Sequence, residues 1–182
     1  WENPYFGFPQ MIRFAFNPTE TAKAQLKRLK SSGATYAFSE LFRPKSMTQQ
    51  RNGSHKSFDE EHESAILDIF RAIDGSKEDR NILPFLDYEK IQEGKMCRHI
   101  VCVLPFRASC DAMEELLKTN KFEHLNEYNV LNVAGFEAQY DDIKKLHSAI
   151  SMCEEEGKKS ITLTVNKLLT GSTVEYWDTM LY

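Results

Sequence analysis

The residues best suited to chemistry lie near the end of the chain, where Thr170, Gly171, Ser172 and Thr173 follow one another. Three hydroxyl groups there flank a glycine, which lets a backbone approach a ligand closely. The strand-like stretch at residues 160–165 (SITLTV) precedes them and has the composition of a buried strand. Open α/β sheets place ligand sites at the loops that follow such strands. The segment is therefore predicted to hold phosphate, of either a nucleotide or a nucleic-acid strand; an ordinary loop is the alternative.

Arg107 is a second candidate, because it lies between an apolar run at residues 99–104 and a helical pattern at residues 109–119. Anions bind where a strand ends and a helix begins, since free amides and the helix dipole favour negative charge there. An ordinary strand–loop–helix element without a ligand would give the same pattern.

Other chemical patterns are weaker. The string FDEEHES at residues 58–64 resembles the DExH box of ATP-driven helicases, but a loop-like sequence precedes it instead of the required buried strand. We therefore predict that its acids begin a helix, where the dipole favours them. The five histidines have no triad spacing, and the chain has neither a GxGxxG nor a Walker-type phosphate loop. No CxxC pair occurs, so reduced, mostly buried thiols are predicted at Cys97, Cys102, Cys110 and Cys153.

The elements that must position these residues follow an α/β pattern. Strand and helix signals alternate in the second half of the chain, which implies parallel strands with right-handed crossovers. The predicted strands are 99–104, 128–134, 160–165 and the start of a fourth at 179–182, and the predicted helices are 109–119 and 141–156. In the first half, we predict a strand at 10–16, a helix with a basic face at 20–30, a long exposed loop at 39–57 and an amphipathic helix at 58–73.

The bulk composition fits a globular domain. The chain has 182 residues, 41% of them hydrophobic and 27% charged, which is enough to bury a core. The formal net charge of −4 excludes a strongly basic domain, so any nucleic-acid contact must come from a local patch or from missing parts of the protein. No apolar run is long enough to span a membrane, so no membrane partner is expected. No signal peptide is visible either, although its absence says little about the parent protein. The cysteine pattern is what favours a cytoplasmic protein. Because the chain opens at Trp1 and stops at Tyr182, just after the fourth strand begins, we expect a fragment.

Two segments resemble a known family. Residues 99–117 (HIVCVLPFRASCDAMEELL) and 161–182 (ITLTVNKLLTGSTVEYWDTMLY) are similar to motifs IV and V in the second RecA-like lobe of superfamily 2 helicases and translocases. The ATPase parts of restriction-modification enzymes are the nearer match. The implied fold is a three-layer parallel sheet of RecA-like type, with a mainly helical elaboration near the N-terminus. The implied division is an inter-lobe linker and first strand at 1–16, a helical and loop insertion at 17–95, and a truncated lobe 2 at 96–182.

The resemblance also implies roles for individual residues. Asn166 stands at the family's Asp position, and Thr170 with Gly171 stands at its Arg-Gly position. The chain departs from the pattern at Val165, where many relatives carry a phosphate-binding Thr, and at Thr173, which replaces an acid. The implied nucleic-acid contacts are Arg107, Asn166, Thr170, Gly171 and Ser172, and the implied residues of coupling between the lobes and the nucleotide are Thr173 and Glu175.

The function that the resemblance implies is that of a piece of an ATP-dependent DNA helicase or translocase in a restriction-modification system. ATP and Mg would bind in the full-length protein, because the Walker loop and the DExH box belong to the missing first lobe and the arginine finger of motif VI would follow later. The isolated chain is expected to bind neither and to lack ATP hydrolysis. Its implied partners are DNA, the first lobe and neighbouring methyltransferase or nuclease domains. A non-catalytic α/β module that docks a partner protein is the main alternative. A small-molecule transferase is a third, although it would need a Gly-rich first loop that is not found.

Overall fold

The computed structural model describes residues 38–45, 56–73, 88–165, 174 and 176–181. Within these residues, four strands form one parallel sheet: β1 (His99–Val103), β2 (Asn129–Asn132), β3 (Ser160–Thr164) and β4 (Thr179–Leu181). The helices are α1 (Phe38–Leu41), α2 (Glu60–Ile73), α3 (Tyr88–Gln92), α4 (Arg107–Leu117) and α5 (Ile143–Glu155), with a short 3-10 turn at Leu125–Glu127. The predicted α/β class with parallel strands is confirmed.

The strand order is β2-β3-β1-β4, so β3 lies between β2 and β1. In register, Ile161 of β3 is opposite Ile100 of β1 on one side and Val130 of β2 on the other. Every residue of β1 and β3 is buried. Both strands were predicted, and for β1 the prediction came from a continuous apolar run, which is typical of a strand covered on both faces.

Helices cover both faces of the sheet. Ile100 and Ile161 share one hydrophobic cluster with Phe70 of α2 and Met113 of α4. On β2, Leu131 faces the opposite side of the sheet and lies in a second hydrophobic cluster, which it forms with residues of α5. Side chains alternate between faces along a strand, so the two clusters form two core layers. The result is a three-layer arrangement of helix, sheet and helix.

The ends of the helices have local causes. The side chain of Asp142 accepts a hydrogen bond from the amide of Lys144 and so caps the start of α5. After α5, Gly157 adopts a φ of +65°, a conformation that favours glycine and stops the helix. Helix α4 begins at Arg107, two residues before the predicted start at Ser109. Arg107 therefore belongs to the first turn of α4 and not to the loop.

The segment from Phe58 behaves as predicted. No strand is present at residues 56–59, and α2 begins at Glu60 with acids in its first turn. The FDEEHES string is therefore a helix start, as its sequence context indicated. The amphipathic pattern of this stretch buries Ile66, Phe70 and Ile73.

The predicted exposed loop at 39–57 is wrong at its beginning. Helix α1 includes residues 38–41, and both Leu41 and Phe42 are buried in the same core as β1. The ring of Phe42 packs edge-on against that of Phe58, with 6.3 Å between centroids. An isolated apolar pair has no periodicity, so it gave no helical signal. Residues 46–55, the predicted strand at 10–16 and the predicted helix at 20–30 lie outside the described residues.

Two further observations concern the described residues as a whole. All four cysteines are buried free thiols, which confirms that prediction. Among the helices described, none is long and apolar enough to cross a membrane.

Candidate functional site

The carboxyl edge of the sheet brings together the ends of β1, β2 and β3. Beyond the regular ladder, the amide of Leu104 donates to the carbonyl of Thr164 over 2.7 Å, and the amide of Val133 donates to that of Leu163 over 3.0 Å. The segments that leave these strands therefore start side by side. Ligands of open α/β sheets bind at this edge.

Arg107 lies at this edge and contacts the segment after β2. Its Nε donates to the carbonyl oxygen of Ala134 over 2.8 Å, and its Nη2 donates to that of Gly135 over 3.1 Å. Its guanidinium carbon lies 4.6 Å from the ring centroid of Phe136, within the range of a cation–π contact. Arg107 thus holds the loop after β2 with two of its donors, although its side chain is exposed.

A buried polar network, formed by Asp111, Glu114 and Asn132, shapes the same loop. The amide nitrogen of Asn132 donates to Oδ1 of Asp111 over 2.9 Å and to Oε2 of Glu114 over 2.8 Å. The amide oxygen of Asn132 accepts from the backbone of Gly135 over 2.9 Å. Oδ2 of Asp111 accepts from the backbone of Phe136 over 2.8 Å. Buried polar groups are costly unless they are paired, so this network fixes the loop in one conformation.

Sequence reasoning missed this network and Phe136. The available signal was small: Asp111 interrupts the apolar face of α4 one turn after Arg107, and Asn132 interrupts the apolar residues of the predicted strand at 128–134. A polar residue at such a position is expected to have a buried partner.

The other predicted site residues do not fall in the described part of the chain. Asn166, Thr170, Gly171, Ser172, Thr173 and Glu175 all lie outside it. The two flanks are described. Val165 follows β3 at the carboxyl edge, and Val174 is buried with Leu131 against the α5 side of the sheet. Asp178 directly precedes β4, as predicted, and its carboxylate accepts hydrogen bonds from the backbone amides of Arg98 and His99.

A different polar cluster lies at the opposite, amino edge of the sheet. Nδ1 of His99 is 2.9 Å from Oγ of Ser160, and Nε2 of His99 is 2.9 Å from Oε2 of Glu154. The order Ser–His–acid is that of a hydrolase triad, which the histidine spacing had not indicated. However, Ser160 is 0% exposed, so its hydroxyl cannot reach a substrate. The cluster ties α5 to β1 and β3 instead.

The contacts of Glu154 in the amino-edge cluster predict that the stability of the protein depends on pH. The hydrogen bond from His99, together with the nearby guanidinium of Arg98, lowers the pKa of Glu154 below its ordinary value of 4.5. A carboxylate whose pKa is lowered by folding stabilises the protein at pH values above its pKa in the unfolded state. That stabilisation is lost as the pH falls through its pKa in the folded state. Glu154→Gln is therefore expected to be less stable than the wild type near neutral pH, with the difference vanishing at pH well below 4.5.

Urea unfolding at several pH values measures this difference. Glu156→Gln changes an exposed carboxylate next to the C-terminal end of the same helix and is the control. A Glu154→Gln deficit that stayed constant down to low pH would contradict the electrostatic explanation.

The described residues provide no nucleophilic thiol or metal centre. Burial raises the pKa of the Cys110 thiol to about 12 and raises that of Cys102 further, which disfavours the reactive thiolate. No three His, Cys, Asp or Glu side chains in the described ranges come together as metal ligands. What the described residues of the carboxyl edge offer to a ligand is hydrogen-bonding groups, the guanidinium of Arg107 and the exposed ring of Phe136.

Comparison with known proteins gives one weak relative. The chain is 24% identical over 186 aligned positions to a Mycoplasma pneumoniae (strain ATCC 29342 / M129 / Subtype 1) protein, described as the C-terminus of a candidate type II restriction enzyme and methyltransferase. The alignment covers 96% of this chain but 25% of the relative, so the chain spans about a quarter of that protein's length. No protein-family model matches the chain. No solved structure matches it significantly.

Proposed function

We propose that this chain is part of an ATP-dependent DNA helicase or translocase of a restriction-modification system. In this proposal it corresponds to the second RecA-like lobe, which supplies nucleic-acid contacts and coupling between lobes but does not hydrolyse ATP alone. One observation carries the proposal: the segments similar to motifs IV and V leave neighbouring strands, β1 and β3, at the same edge of a parallel sheet. A shared site requires that adjacency.

The relative supports the restriction-modification context. Its description as a restriction enzyme and methyltransferase makes DNA the natural substrate of the longer protein. Because this chain corresponds to about a quarter of the relative, the proposal includes a first RecA-like lobe and methyltransferase or nuclease domains as partners. We place the protein in the cytoplasm, where such enzymes meet DNA.

In this proposal, Arg107, Asn166, Thr170, Gly171 and Ser172 form the DNA-facing set. Hydroxyl groups and backbone amides donate hydrogen bonds to phosphate oxygens, which position a strand without selecting its sequence. Thr173 and Glu175 follow directly and would transmit the state of the nucleotide between the lobes. ATP and Mg belong to the first lobe. Since the described residues gather no group of metal ligands, no step is assigned to a metal here.

The variant Thr170→Ala tests the proposed contact between Thr170 and a DNA phosphate. Removing one neutral hydrogen bond to a phosphate is expected to weaken binding of single-stranded DNA about fivefold, which corresponds to roughly 1 kcal/mol. The slope of affinity against salt should not change, because no charge is lost. Fluorescence anisotropy with a labelled oligothymidylate over a salt series measures both quantities. Thr119→Ala is the control. Thr119 lies just beyond the end of α4, where its hydroxyl donates to the carbonyl of Leu116, and it is not a proposed phosphate contact.

Each outcome has a clear meaning. Equal binding by the wild type and Thr170→Ala would remove Thr170 from the DNA-facing set. Absence of single-stranded DNA binding by the wild type would contradict the proposed function itself.

A further inference from the structure

Phe136 has the most exposed large apolar side chain in the described part of the chain, with 65% of its surface in solvent. It lies in the loop after β2, at the carboxyl edge of the sheet. Single exposed apolar side chains are common on protein surfaces, so exposure alone identifies no site. What surrounds Phe136 decides whether its ring can serve a ligand.

The ring of Phe136 is held in place from both its side chain and its backbone. The guanidinium of Arg107 lies over the ring, 4.6 Å from its centroid, while Arg107 also donates to the carbonyls of Ala134 and Gly135. The backbone amide of Phe136 donates to the buried carboxylate of Asp111. A ring that is already fixed loses little conformational freedom when a ligand stacks on it. The loop therefore presents a preorganised aromatic surface.

The charges nearby favour a stacking ligand over an ionic one. Glu137 is paired with Lys56 over 2.6 Å, and Glu114 is paired with Lys118 over 2.9 Å. The carboxylate of Asp111 is occupied by the Asn132 amide and by backbone amides. Among the described residues around the ring, these acids are therefore compensated, and Arg107 already donates to two backbone carbonyls. Contact between a base and an aromatic ring needs no net charge.

We propose that Phe136, backed by Arg107, stacks on an unpaired base of single-stranded DNA. This inference rests on the proposed function and names the form of DNA that the same edge takes. The bases of a duplex are stacked on one another, so only a single strand offers a free base face to a side chain. In this arrangement Arg107, a member of the proposed DNA-facing set, acts as a positioning residue that holds the ring.

The test compares two labelled probes and three variants of the full chain by fluorescence anisotropy. One probe is an oligothymidylate, and the other has the same length and phosphate backbone but abasic sites throughout. Phe136→Ala is expected to bind the oligothymidylate about tenfold more weakly than the wild type, while its affinity for the abasic probe is unchanged. Phe136→Trp keeps an aromatic face and should retain tight binding. Met152→Ala removes another exposed apolar side chain, on α5, and should change neither affinity.

The outcomes separate this inference from the proposed function. Wild-type binding to neither probe would contradict both. Wild-type binding to both probes with equal affinity, or unchanged oligothymidylate binding in Phe136→Ala, would overturn the stacking inference and leave the proposed function intact. In that case the exposed ring would serve a different partner, such as a protein. Thermal unfolding of Phe136→Ala checks the fold, which should be kept because the substituted side chain is mostly exposed.

Discussion

Replacing Gly135 with alanine is expected to lower the free energy of unfolding by about 3 kcal/mol. A Cβ atom at this position would lie 1.9 Å from Oδ1 of Asp111 and 2.5 Å from Nδ2 of Asn132. Both neighbours are buried and hydrogen-bonded to each other, so neither can move without breaking the network. The cost therefore combines a steric clash with the loss of buried hydrogen bonds. Urea unfolding followed by circular dichroism measures it.

Gly157→Ala is the matched control. Gly157 has a φ of +65°, but no atom lies within 4 Å of a Cβ built there. Its cost is thus conformational, about 1 kcal/mol, without a clash. If Gly135→Ala were no more destabilising than Gly157→Ala, the loop after β2 would have to yield easily. The preorganisation on which the stacking inference depends would then be absent.

The second large effect is expected for Phe70→Ala, which should lower the free energy of unfolding by about 4 kcal/mol. Phe70 is 1% exposed, and its ring packs edge-on against that of Phe122 with 6.3 Å between centroids. It lies on α2, in the cluster that also contains Ile100 and Met113. The cavity left by truncation would thus open in the core beneath the sheet.

Phe136→Ala is the control for the same chemical change on the surface, and its effect should stay within about 0.5 kcal/mol.

The unfolding of Phe70→Ala also tests the proposed division of the chain at about residue 95. A single unfolding transition, shifted as a whole by Phe70→Ala, is expected if α2 and the sheet unfold together. Loss of α2 helicity in a separate earlier transition would instead indicate an independent insertion.

The two central strands, β1 and β3, were predicted well because they are covered on both faces. Residues 99–104 are a continuous apolar run, which needs a buried environment to be stable, and residues 160–165 are rich in the β-branched residues that favour strands. The helix starting near Phe58 was recognised because its acids and its apolar spacing agreed with each other. Local composition was sufficient in these cases.

The carboxyl edge was harder to predict because its contacts join distant residues. Arg107 was identified as a candidate from its place between a strand and a helix. Its partners at Ala134 and Gly135, however, follow from the pairing of strands and not from any local pattern. Asn132 and Asp111 are single polar residues whose partners become visible only in three dimensions. Phe136 gave no signal, since an exposed aromatic residue in a loop has no periodicity.

The amino-edge cluster also joins residues that are distant along the chain. His99 contacts Ser160 and Glu154, which lie 61 and 55 residues away along the chain. Histidine spacing alone could not bring these residues together. The burial of Ser160, which decides that the cluster is structural, agrees with its place at the start of the predicted buried strand at 160–165.

The order of strands in the sheet determines when the sheet can form during synthesis. Strand β1 pairs with β3 and β4 but not with β2, its successor along the chain. Of the four described strands, a nascent chain that has not yet reached Ser160 contains β1 and β2 without β3, which lies between them. Pairing over such long separations closes large loops, which slows folding. Until β3 is made, the edge of β1 that pairs with it has no partner among the described strands, and unpaired strand edges make a folding intermediate prone to aggregate.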